Sequence, residues 1–171
     1  NALEPNDEPE EEVHSEHRLP DDLDVELLEK CILESNDLIQ NAEEALLTLE
    51  KNPEDAEALN RVFRCFHTIK GSASYLGIPF LPELSHSAES LLHKVRDGEV
   101  EFTDTIADLS LRSVDSLKML LANVQRAIPS NLPVEPSSDY DELLHSLSHH
   151  ETAGRKEDQD PDEKDTDQNS R

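Results

Sequence analysis

Apolar residues recur every three or four positions along most of the chain between about residue 22 and residue 130. This spacing places apolar side chains on one face of an α-helix, and no stretch shows the convincing two-residue alternation that is typical of a half-buried β-strand. The spacing predicts four amphipathic helices. The first two cover about 22–51 and 53–76, the third starts between Pro79 and Pro82 and stops at Gly98, and the fourth covers about 103–130.

Turn and capping residues separate the four predicted helices. We expect Asn52 to cap the second helix, with Pro53 at its first position and Asp55 adding charge to its first turn. Gly77, followed shortly by a proline, is typical of the end of that helix. Thr103 is expected to cap the fourth helix.

Four amphipathic helices joined by short turns predict an all-α fold, an antiparallel four-helix bundle over residues 21–130. Residues 131–147 follow it, with a possible short fifth helix from Tyr140 to Leu147. Residues 1–20 and 148–171 are polar and charge-rich, which predicts disordered acidic linkers. Since the first residue is asparagine and both ends are polar, we expect a piece cut from a longer protein.

The charge of the chain excludes two classes of partner. Acidic residues outnumber basic residues 40 to 15, and the formal net charge is -25. Nucleic acids and anionic membranes need a basic surface, so we expect neither as a partner. No apolar run approaches the length of a membrane span, and no signal peptide is recognisable. Cys31 and Cys65 lie among apolar residues on predicted helices, so we expect reduced core cysteines and a cytoplasmic protein.

The second predicted helix contains the candidate chemistry. Its buried stripe is formed by Phe63, Phe66, Ile69 or Lys70, and Ala73, and His67 lies just beside it. Gly71 interrupts the helix at a cost of about 1 kcal/mol relative to alanine. Gly71 could be a packing notch for a neighbouring helix, or it could leave room for a molecule that approaches His67. Its position one turn beyond His67 on the same face favours the second explanation.

The third predicted helix carries a polar group formed by His86, Glu89 and His93. If the second and third helices pack antiparallel, His67 should lie opposite Glu89 or one turn away. A histidine that donates from one ring nitrogen to a carboxylate keeps a free lone pair on the other. That nitrogen can attack a phosphoryl group, while Lys70, and less surely Arg64, offsets its negative charge.

The chain carries no signature of ATP-driven kinase chemistry. It has neither a glycine-rich phosphate loop nor a recognisable set of magnesium-binding Asp and Asn residues. We therefore expect that His67 accepts a phosphoryl group but that this chain alone does not load it from ATP.

The residues around His67 resemble a known family. The run His-Thr-Ile-Lys-Gly-Ser at 67–72, ending in Leu-Gly at 76–77, is similar to the signature of the histidine-containing phosphotransfer (HPt) domain. The following His86-x-x-Glu89 resembles the phosphotransfer domain of CheA-type chemotaxis histidine kinases in particular. The likeness covers about residues 22–129.

The resemblance implies a function and a set of site residues. It implies that His67 is phosphorylated by a separate ATP-binding kinase domain, in cis or in trans, and passes the phosphoryl group to an aspartate of a response-regulator receiver domain. It further implies that Glu89 orients the His67 ring, that Lys70 and His86 complete the polar cluster, and that Gly71 allows close docking. ATP and magnesium would be used by the kinase domain, so this chain needs no cofactor or metal and is not an enzyme alone. The parent protein would be a CheA-type kinase of a chemotaxis or motility pathway, in which an acidic linker precedes the module.

Three other interpretations remain open at this stage. The chain could be an HPt intermediate of a multistep phosphorelay, which takes its phosphoryl group from a receiver domain. It could be a metal-binding bundle, because carboxylate-bridged di-iron bundles use Glu-x-x-His pairs and this chain has such pairs at 83–86 and 142–145. It could also be a bundle that docks partners without chemistry, in which case replacing His67 would leave function intact.

Overall fold

The computed structural model describes residues 17–153, and within that range it contains five α-helices and no β-strand. The helices are α1 (Val25–Lys51), α2 (Ala56–Leu76), α3 (Leu81–Arg96), α4 (Asp104–Ser130) and α5 (Tyr140–Ala153). The prediction of an all-α fold is confirmed.

The four long helices surround one apolar core. Both α1 and α3 pack against α2 and α4, and α5 lies against α3 and α4. Each long helix contributes large side chains that are fully buried, among them Leu28, Phe66, Leu84 and Leu117. Burying one such side chain stabilises the fold by about 1.5–3 kcal/mol. The predicted four-helix bundle is therefore confirmed, with α5 as an addition on one side.

Side-chain caps begin three of the long helices. Asp24 accepts from the backbone N–H of Leu27 at 3.0 Å, and Thr103 caps α4 as predicted. The predicted cap of α2 was wrong. Asn52 ends α1, with its N–H bonded to the carbonyl of Thr48, and Asp55 is the residue that caps α2. Asn52 and Asp55 are bridged by a turn, in which the N–H of Asp55 donates to the carbonyl of Asn52 at 3.1 Å.

The turn between α2 and α3 fixes how the two helices face each other. Gly77 has a φ of 65° and ends α2, as predicted. Phe80 also has a positive φ, 67°, which is costly for a bulky residue and must be held by its surroundings. The hydroxyl of buried Tyr140 donates to the carbonyl of Phe80 at 2.9 Å and contacts Glu83 at 3.2 Å. The first residue of α5 thus holds the turn that sets the position of α3.

The packed part of the chain extends beyond the predicted bundle at both ends. The N–H of Val134 donates to the carbonyl of His17 at 2.8 Å, and the side chain of Pro20 lies against Gly77. At the other end α5 continues to Ala153, past the predicted end at Leu147. Residues 1–16 and 154–171, which hold most of the predicted linkers, lie outside the described residues.

Both cysteines are free and buried, as predicted. Burial, with a smaller effect of the nearby carboxylate of Glu43, raises the pKa of Cys65 to about 12. Cys65 is therefore a neutral core thiol.

Among the helices of residues 17–153, none is both long enough and apolar enough to span a bilayer.

Candidate functional site

His67 and Glu89 meet on the surface between α2 and α3. The Nδ1 atom of His67 lies 2.7 Å from Oε1 of Glu89. An ionised carboxylate can only accept, so this hydrogen bond requires the proton on Nδ1, and in the neutral imidazole the lone pair is then on Nε2. The side chain of His67 is 61% exposed and that of Glu89 only 12%. The imidazole is therefore mostly exposed to solvent, whereas the carboxylate that it contacts is mostly buried.

Lys70 completes the electrostatics of this contact. Its Nζ atom forms an ion pair with Oε2 of Glu89 at 2.5 Å. Burial alone raises the pKa of the Glu89 carboxyl, but the contacts with Lys70 and His67 outweigh it, and the net pKa lies below its usual value. Glu89 is therefore ionised at neutral pH and binds two groups at once.

An open groove of about 300 Å³ runs beside the carboxylate of Glu89. It is lined by residues of α2 and α3 and by one residue of α5, namely Lys70, His86, Glu89, Ser90, His93, Lys94 and Glu151. His86 lies in the wall of this groove, whereas the hydrogen bond to His67 comes from Glu89. Glu151 was missed, because it falls in the segment predicted as a linker.

Gly71 lies on the exposed face of α2, one turn beyond His67. Apart from its chain neighbours and the backbone of its own helix, no atom of residues 17–153 lies within 4 Å of the position that a Cβ would occupy. Gly71 is therefore not a packing notch for another helix of the described domain. The space above it is open to an approaching molecule.

An aromatic residue next to His67 belongs to the site as well. Phe63 lies one turn before His67, and the two rings are 5.9 Å apart with an angle of 14° between their planes. The guanidinium of Arg96 lies 4.2 Å from the centroid of the Phe63 ring. The sequence placed Phe63 in the core stripe and one turn before His67, but it indicated no role for Phe63 in the site. The four-residue spacing to His67 was visible, but Arg96 comes from α3 and gave no signal.

The metal-binding interpretation finds no support in residues 17–153, where no three His, Cys, Asp or Glu side chains converge in a way that could hold a metal ion. The glutamates of the two Glu-x-x-His pairs have other partners. Glu83 lies 3.2 Å from the hydroxyl of Tyr140, and Glu142 lies 3.6 Å from Arg112.

Comparison with known proteins gives a family match over most of the described chain. The family model described as the Hpt domain matches residues 26–127. The sensor histidine kinase CheAY of Helicobacter pylori is 42% identical over 105 residues, which are 61% of this chain and 13% of that relative. The chain therefore corresponds to only a small part of this curated relative.

Two solved structures share the fold. The CheA phosphotransferase domain from Thermotoga maritima is 35% identical, with a TM-score of 0.56, and the match covers 58% of this chain and 95% of that domain. The phosphorylated P1 domain of CheA3 in complex with CheY6 from R. sphaeroides is 24% identical, with a TM-score of 0.64. That match covers 75% of this chain and 97% of the P1 domain, and at this identity it shows the fold alone.

Proposed function

The chain belongs to the Hpt domain family, and we propose that it is the phosphotransfer module of a CheA-type histidine kinase in a chemotaxis or motility pathway, with His67 as the phosphoacceptor. The observation that carries this proposal is the 2.7 Å contact between Nδ1 of His67 and buried, ionised Glu89. It leaves a nucleophilic nitrogen on an imidazole that a partner protein can reach.

The tautomer of His67 suits the acceptance of a phosphoryl group. Nε2 carries a lone pair and no proton, so no proton has to be removed before attack. The bond from Nε2 to the γ-phosphorus of ATP forms while the bond from that phosphorus to the bridging oxygen breaks, and ADP leaves. The imidazole becomes positively charged as the N–P bond forms, and the carboxylate of Glu89 stabilises that charge.

The second transfer reverses these changes. A carboxylate oxygen of the receiver aspartate attacks the phosphorus, the new O–P bond forms and the N–P bond breaks. The electron pair returns to Nε2, and the neutral imidazole is restored. We propose that Lys70 offsets negative charge on the phosphoryl group and that Gly71 leaves room for the docked partner. We propose that His86, in the wall of the groove beside Glu89, completes the polar surroundings of the phosphoryl group.

Two partners follow from this proposal. One is an ATP-binding kinase domain, in cis or in trans, which uses ATP and magnesium, so that the module itself is a phosphoacceptor and not an enzyme. The other is a receiver domain of a response regulator. The fold neighbour from R. sphaeroides is in complex with CheY6, which supports a receiver of that kind as the partner proposed for this chain. We place the module in the cytoplasm, with no nucleic-acid or membrane partner, in keeping with a net charge of -25.

Phosphorylation by a kinase core tests the proposal. The purified chain is incubated with ATP and a CheA-type kinase core that lacks its own HPt domain, and intact mass is measured for wild type, His67→Gln and His145→Gln. His145 is the control, because it is also an exposed histidine but lies outside the groove beside Glu89. We expect one acid-labile phosphoryl group on wild type and on His145→Gln, and none on His67→Gln.

Two outcomes would count against the proposal. A phosphoryl group on His67→Gln would show that another residue is the acceptor. If none of the three proteins gained mass with several kinase cores, but wild type did so with a phosphorylated receiver domain, the module would belong to a multistep phosphorelay.

A further inference from the structure

One hydrogen bond does not fix the orientation of the His67 imidazole. The bond from Nδ1 to Glu89 holds one atom of the ring, but the ring can still turn about the line that joins Nδ1 and Oε1. The lone pair of Nε2 lies in the plane of the ring, so such a rotation changes the direction of attack. Phosphoryl transfer requires the attacking and leaving atoms to be roughly in line, and its rate depends on positioning.

The ring of Phe63 supplies the missing constraint. It lies four residues before His67 on α2, a spacing at which side chains are neighbours on a helix surface. The two rings are nearly parallel, at 14°, and their centroids are 5.9 Å apart, which is the offset-stacked arrangement that aromatic pairs prefer. A flat neighbour on one face opposes rotation of the imidazole out of its plane.

Phe63 is itself held in place by the last turn of α3. It is half-buried and packs against the core. The guanidinium of Arg96 lies over its ring at 4.2 Å, within the range of a cation–π interaction. The ring of His93 meets Phe63 edge-on, at 6.3 Å and 63°. Contacts from α3 therefore restrain the ring that lies against the imidazole on α2.

We propose that Phe63 is a positioning residue for phosphotransfer, which fixes the plane of the His67 ring while Glu89 fixes its tautomer. Arg96 supports this role by holding Phe63. The inference rests on the proposed function, in which His67 accepts the phosphoryl group.

The test compares Phe63→Leu with Phe63→Tyr. Leucine keeps the apolar packing but has no flat face, whereas tyrosine keeps the ring. We expect the initial rate of phosphorylation by a kinase core to fall about fivefold in Phe63→Leu, the order expected for the loss of one aromatic contact. Phe63→Tyr should retain nearly the wild-type rate, and circular dichroism should show that all three proteins are equally helical.

A second measurement needs neither kinase nor ATP. The Phe63 ring current should shift the His67 ring protons in the NMR spectrum of wild type and of Phe63→Tyr, and this shift should be lost in Phe63→Leu. Should Phe63→Leu fail to fold, Arg96→Gln takes its place, because Arg96 is exposed on the surface. Its expected effect is a smaller loss of rate, about twofold, with a partial loss of the proton shift.

The outcomes separate positioning from packing. A Phe63→Leu protein that is phosphorylated at the wild-type rate would overturn the inference. So would a slower protein whose His67 proton shifts are unchanged, since its defect would then not come from the imidazole. If wild type were not phosphorylated at all, the proposed function would fail, and the proton shifts would still decide whether Phe63 holds the ring.

Discussion

At the scale of single residues, Glu89 shows how the fold keeps a mostly buried carboxylate charged. Burial raises its pKa, while Lys70 and His67 lower it by more, and the result is an anion between two basic side chains. Such a group can orient the imidazole and also stabilise the positive charge that develops on it during transfer. Its charge and its position are both needed for this role.

Replacing Glu89 with glutamine should therefore slow phosphorylation while the bundle stays folded. The amide oxygen can still accept from Nδ1, but it carries no charge, so we expect a loss of about tenfold, the order of one charge-assisted hydrogen bond. The initial rate with a kinase core measures the effect. Glu83→Gln is the control, since Glu83 lies on the same helix as Glu89 but contacts the hydroxyl of Tyr140 and not His67. A wild-type rate for Glu89→Gln would contradict the role given to Glu89.

The lowered pKa of Glu89 also predicts how stability depends on pH. Its pKa in the folded protein lies below the ordinary value of 4.5. The ion pairs of Glu89 therefore contribute fully above pH 4.5, and the contribution is lost as pH falls through the lower folded-state pKa. Urea unfolding of wild type and of Glu89→Gln should give a stability difference that shrinks as pH falls below 4.5. A difference that grows below pH 4.5 would be the opposite of this prediction.

Gly71 should show opposite effects on stability and function. An added Cβ meets open space, so Gly71→Ala should stabilise α2 by about 0.5–1 kcal/mol. If the space is used by a docked partner, the same methyl group should slow phosphorylation or transfer to a receiver. Urea unfolding and the two rates measure these effects. Unchanged rates in the more stable variant would show that Gly71 does not provide docking clearance.

At the scale of helices, the start of α2 is a direct test of local structure. Asp55 accepts from the backbone N–H of Ala58 at 2.9 Å, whereas Asn52 ends the preceding helix. Asp55→Ala should lower the free energy of unfolding by about 1 kcal/mol, the usual value of a helix N-cap. Asn52→Ala should cost less, because the contact that Asn52 makes with Thr48 comes from its backbone. A larger loss in Asn52→Ala would favour the cap that the sequence suggested.

The helices could be predicted from the sequence because each has a continuous apolar stripe. The details that were missed depend on weaker or distant signals. Asn52 and Asp55 are both good caps, and only the turn between them decides which is used. The end of α5 could not be located because the apolar pattern stops at Leu147 while the helix continues through polar residues.

The sequence suggested candidate members of the site but not their geometry. The sequence placed Glu89 opposite His67 or one turn away. Which of these two positions Glu89 takes depends on the turn between α2 and α3. In that turn Phe80 adopts a positive φ that its residue type does not suggest. The stacking of Phe63 on His67 could not be predicted, because Arg96 of another helix helps to hold it.

At the scale of the whole molecule, the bundle presents the proposed nucleophile, His67, on an open surface. Under the proposed function a partner would position ATP, because the imidazole is exposed and the groove beside Glu89 is open. If a partner positions ATP, the module needs no nucleotide site of its own, and a four-helix bundle that presents His67 is sufficient. The rigid core fixes α2 against α3, and those two helices fix the side chains that set the tautomer and the plane of His67.

The position of the phosphoryl group on the imidazole tests the proposed role of His67 most directly. Because Nδ1 of His67 is bonded to Glu89, only Nε2 is free to attack. We would phosphorylate the chain labelled with nitrogen-15 on histidine and identify the modified nitrogen from its coupling to phosphorus in the NMR spectrum. We predict a single phosphoryl group on Nε2 of His67. A phosphoryl group on Nδ1, or on any other residue, would show that the proposed role of His67 is wrong.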